Sequence, residues 1–62
     1  MTLTIYEGYD SSYVIVSSKD ERFTREWGSI IKVPSSHVYR QLADIASWVN
    51  NELDEECLFE ID

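Results

Sequence analysis

Polar and apolar residues alternate along Thr2-Leu3-Thr4-Ile5-Tyr6-Glu7. That period of two, with β-branched residues enriched, predicts a strand. Gly8-Tyr9-Asp10-Ser11-Ser12 is turn chemistry, because Gly tolerates positive φ and Asp and Ser bond their own backbone. Tyr13-Val14-Ile15-Val16-Ser17 then predicts a second strand, and the two make a β-hairpin with a longer loop. Phe23-Thr24-Arg25-Glu26-Trp27 alternates again, Gly28 interrupts it, and Ile30-Ile31-Lys32-Val33 continues. The region 22–33 reads as a third, broken strand. A short helical turn within 20–27 competes with it.

The period changes after Pro34-Ser35-Ser36, a helix-start signal in which a Ser can accept first-turn N–H groups. Val38, Leu42, Ile45, Val49 and Leu53 follow at spacings of four, three, four and four. Tyr39 and Ala46 widen the stripe, and all seven fall within an arc of about 120°, the width of a core-facing helix. This predicts a helix from about 36 to about 52. Cys57, Phe59 and Ile61 alternate with Leu58 and Glu60, so the chain closes on a half-buried strand. The expectation is one α+β domain over 1–62. It has a small antiparallel sheet of three to four strands, with one amphipathic helix packed on it, in the order β-β-β-α-β.

Sixty-two residues bury a marginal core, and the single cysteine, Cys57, allows no disulfide within one chain. Its expected place is as a small core hydrophobe in a reducing compartment. A hydrophobic fraction of 44% argues against a disordered acidic chain. No stretch reaches a membrane span, and the N-terminus lacks the basic and apolar regions of a signal peptide. A cytoplasmic domain with no membrane partner is expected.

Net charge is −7, and its distribution matters more than its total. Residues 1–18 carry −2, residues 19–40 hold all five basic side chains and carry +2, and residues 41–62 carry −7. Such a field repels phosphate, so direct nucleic-acid binding is not expected, and it favours a basic partner. The plainer alternative is that this charge only keeps a small domain soluble. Glu52, Asp54, Glu55 and Glu56 stand at the C-terminal end of the expected helix, where the dipole disfavours anions.

Catalytic and metal-binding patterns are missing. One histidine and one cysteine twenty residues apart do not make a closed zinc site, and two glycines do not cradle a phosphate. Ser36 and His37 are neighbours without an orienting acid. The reading is a protein that is not an enzyme and uses no cofactor or metal.

Binding is the class left. An acidic ridge of Glu52, Asp54, Glu55, Glu56, Glu60 and Asp62 is its first candidate, with Asp44 further up the helix. Glu60 and Asp62 would lie on one face of the closing strand, about 6.6 Å apart. Trp48, on the flank of the apolar stripe, either covers the sheet edge or anchors an interface. Tyr9 should stand at the hairpin tip. Tyr6 and Tyr13 should pair across strands.

Val33-Pro34-Ser35-Ser36-His37-Val38, the amphipathic helix, the acidic turn Glu52 to Glu56 and the strand Cys57-Leu58-Phe59-Glu60-Ile61 together resemble the C-terminal half of small acidic phage-encoded inhibitors of the anti-CRISPR type. The likeness covers about 30 residues and is one of pattern and composition. It implies a stoichiometric inhibitor in the host cytoplasm. Its carboxylates, at Asp54, Glu55, Glu56 and Glu60, would occupy a nucleic-acid-binding surface of a host effector. The competing reading is a homodimeric structural or regulatory accessory protein, antitoxin-like, with no inhibitory role.

Overall fold

The computed structural model describes residues 1–8 and 11–62, so Tyr9 and the hairpin tip lie outside the described residues. β1 (Thr2–Glu7) and β2 (Tyr13–Ser17) form the expected antiparallel hairpin, with Ile5 opposite Val16 and Tyr6 opposite Ile15. Tyr6 and Tyr13 share a face without standing opposite each other. Gly8 closes the strand ends by donating its N–H to the Tyr13 carbonyl at 3.0 Å. A Cβ at Gly8 would fall 2.6 Å from that same oxygen and 2.3 Å from the Tyr13 ring, so a side chain there would force the strands apart.

The first half of the expected third strand is a helix, α1 (Glu21–Trp27). Asp20 caps it: its Oδ1 accepts the Arg22 N–H at 2.9 Å, and its carbonyl accepts from Phe23. Glu21 in the first turn and Arg25 in the last complement the dipole. Phe23 and Trp27, which look like alternation, are also one helical turn apart. Gly28 ends the helix at φ 104°, in the left-handed region that Gly enters at no steric cost. β3 (Ile31–Pro34) follows and pairs antiparallel with β2.

Ser35–His37 form one 3₁₀ turn, and α2 (Val38–Glu52) runs from there. Neither serine caps it as expected. Ser35 instead ties the turn to the hairpin, its Oγ donating to the Ser11 carbonyl at 2.7 Å and its N–H to that of Ser12 at 2.9 Å. Ile45 and Val49 are fully buried. Tyr39, at the margin of the apolar stripe, is instead 88% exposed.

β4 (Leu58–Ile61) completes a four-stranded sheet in the order β3-β2-β1-β4. The α+β class holds, but the sheet is mixed, because β4 joins β1 in parallel, with Leu3 opposite Phe59 and Ile5 opposite Ile61. The reason is the connection. α2 is a crossover that carries the chain back along the sheet, so β4 starts at the same end as β3 and runs in the same direction as β3 and β1.

Both helices pack on one face. Leu3, Val16 and Val33 from the strands meet Phe23 from α1 and Ile45 and Val49 from α2. The other face, with Thr4, Tyr6, Tyr13, Ile15, Lys32, Leu58 and Glu60, carries no helix. Lys32 lies 4.2 Å above the Tyr13 ring there. α2 begins beside the end of β3 and finishes at the start of β4, so it crosses the sheet diagonally. α1 fills the corner by the start of β3. The corner at the far end of β4 is left bare.

Candidate interaction surface

The acidic residues separate into two kinds. Glu55 is engaged inside the protein: Arg22 reaches it at 2.6 Å, and the Met1 ammonium at 3.4 Å. Arg22 also holds Asp20 at 2.7 Å, so one guanidinium bridges the start of α1 and the acidic corner. The side-chain hydrogen bond from Arg22, helped by its backbone N–H, brings the Asp20 carboxyl down to about 2. The same guanidinium lowers Glu55 and is itself pushed upward. Glu55 therefore ties the corner to α1 and to the N-terminus while keeping about a third of its side chain exposed, and alone of the expected ridge it is ion-paired within the chain.

Glu52, Asp54, Glu56, Glu60 and Asp62 are exposed, and among the described residues none of them joins an ion pair. They follow one path, from the end of α2 round the corner and along β4. Asp44, eight residues before Glu52, stands about 12 Å further up α2 and outside that path.

Asp54 makes the corner. It sits at φ 52° just past the helix end, and the following N–H, of Glu55, bonds to the Val49 carbonyl at 3.2 Å. A left-handed residue here would ordinarily be glycine. Asp54→Gly should therefore raise stability by about 1 kcal/mol, a rise in Tm of about 4–8 °C for a domain this small. Asp54→Asn, which removes the charge that the helix dipole disfavours and keeps the side chain, should recover only part of that gain, about 0.3 kcal/mol or a little more. Thermal melts of both variants check it, and an unchanged Tm for Asp54→Gly would deny strain at this position.

Trp48 is half-buried and meets Trp27 edge to face, with centroids 5.9 Å apart at 80°. That contact joins α2 to α1. The Trp27 Nε1 is buried without a hydrogen-bond partner among the described residues. Phe59 and Ile61 take the helix side of the sheet, in register with Leu3 and Ile5, but the buried face expected of this strand is not there: all of β4 is exposed, and only Cys57, just before it, is half-buried. Cys57 packs against the core, and burial pushes its thiol pKa up. Phe59 is 46% and Ile61 80% exposed, because α2 has already crossed away.

A shallow depression of about 450 Å³ lies between Thr2, Thr4, Glu60 and the Ser18–Asp20 loop. Among the described residues no group of three or more His, Cys, Asp or Glu could hold a metal ion, and no helix is long and apolar enough to cross a membrane. No family model, curated protein or solved structure matches the chain.

Proposed function

We propose that this chain is a non-enzymatic binding protein that covers a basic, nucleic-acid-binding surface of a larger host protein, as the resemblance to anti-CRISPR-type inhibitors implies. The observation that carries this reading is the path of exposed carboxylates Glu52, Asp54, Glu56, Glu60 and Asp62, none of which joins an ion pair among the described residues, with Lys19 the one basic side chain lining the depression beside Glu60. Arg22 is consumed internally and Lys32 rests on Tyr13, so neither offsets that edge. Carboxylates held on a helix end and a strand present charge at fixed spacing, as a phosphate backbone does.

The test is capture of the partner from host lysate with wild type and with a variant carrying Glu56→Lys, Glu60→Lys and Asp62→Lys. Glu55 is left alone, because reversing it would break the Arg22 pairing. The variant should fold and lose the partner, and duplex DNA should displace the partner from wild type. Equal capture by the folded variant would refute the reading. A homodimeric accessory role is the second reading, favoured by the bare apolar corner at Phe59 and Ile61.

A further inference from the structure

The two edges of the sheet are unlike. β3 ends in Pro34 and carries Lys32, residues that discourage a further strand. β4 has neither. Its Leu58 N–H donates to the Met1 carbonyl at 2.8 Å, and the Asp62 N–H donates to the Ile5 carbonyl at 2.9 Å. Peptide groups alternate in direction along a strand, so Leu58, Glu60 and Asp62 face β1. The N–H and C=O groups of Phe59 and Ile61 point outward, away from the sheet. The same two residues carry apolar side chains 46% and 80% exposed, on the corner that α2 leaves uncovered. Glu60 and Asp62 stand on the opposite face of the strand.

We infer that the outer edge of β4 accepts an extended segment of a basic partner as a fifth strand. The inference rests on the reading above that the partner is basic. The geometry sets the pattern of the segment. Side chains on one face of an added strand would lie beside Phe59 and Ile61 and should be apolar. Those on the other face would lie beside Glu60 and Asp62 and should be Lys or Arg. The occupant is therefore a strand in which apolar and basic residues alternate. A second copy of this chain fits worse. β4 paired with β4 would set Glu60 and Asp62 of one copy beside the same carboxylates of the other.

The test uses a short peptide of alternating lysine and valine, titrated into the isotope-labelled protein, with an alternating glutamate and valine peptide as control. The lysine peptide should shift the Phe59 and Ile61 amides and slow their hydrogen exchange, and the glutamate peptide should not. Ile61→Pro removes an outward N–H and no bond to β1, so the fold should persist. The peptide should then bind about tenfold more weakly, the equivalent of one lost backbone hydrogen bond. Binding that leaves Phe59 and Ile61 unprotected and shifts only residues 52–56 would overturn strand addition while leaving the acidic reading in place. A protein that binds neither this peptide nor polylysine would overturn both. A dimer without peptide, protected at Phe59 and Ile61, would assign the edge to a second copy and overturn the inference.

Discussion

Phe23→Ala should leave the chain largely unfolded at room temperature. Phe23 is fully buried and is the bulkiest such side chain in the core. Truncating a buried Phe costs about 3–5 kcal/mol, through lost transfer energy and the cavity left behind. A domain of 62 residues has a total stability of about 3–9 kcal/mol. The loss is therefore comparable with the whole. No local reserve offsets it, because α1 has seven residues and a helix that short does not persist alone. Phe23 is its one fully buried contact with the sheet. Trp27 and Trp48 would lose their mutual contact with it. Circular dichroism and tryptophan fluorescence should show loss of the cooperative melt. A cooperative transition shifted by less than about 1 kcal/mol would show that α1 is peripheral to the fold.

Arg22→Met should lower stability at neutral pH, and its penalty should vanish in acid. Arg22 makes every side-chain ion pair among the described residues except the one from the Met1 ammonium. Met keeps the length of the side chain and removes the charge. Asp20, held down to about 2, and Glu55, also lowered, have folded pKa values below their unfolded ones. Such groups stabilise the fold above the unfolded pKa and lose that contribution as pH falls through the folded value. The window runs from the ordinary Glu and Asp values, about 4.5 and 3.8, down to about 2. Wild type should therefore lose stability across it. The variant, with no guanidinium to favour the ionised carboxyls, should lose less. Melting temperatures of the two should differ most near pH 7 and converge near pH 2. Parallel curves across that range would show that Arg22 acts through packing of its stem and not through these carboxylates.

Much of the fold is legible in the sequence, and the misses have physical causes. The stripe from Val38 to Leu53 has a period only a helix satisfies, and α2 appears where it points. Phe23 and Trp27 are four residues apart, a spacing that suits one side of a strand as well as one turn of helix. The Asp20 cap and Gly28 decided the matter, and caps act through hydrogen bonds that alternation does not display. The inward face of β4 is legible because alternation encodes which side a residue takes. Its exposure and parallel pairing are not, because both depend on where α2 travels. The acidic run from Glu52 to Asp62 looks uniform in sequence. Glu55 differs only because Arg22, 33 residues away, folds onto it. A pairing that distant has no local signal. The carboxylates that join no ion pair among the described residues are those at the end of α2 and on the outer side of β4.

The most direct test of the account is the salt dependence of affinity for the captured partner. A partner held by Glu56, Glu60 and Asp62 should bind progressively more weakly as salt rises. The triple lysine variant should bind weakly at every salt concentration, with little slope left. Affinity that stays constant across the salt series, and equal in wild type and variant, would contradict the claim that this protein works through its acidic edge.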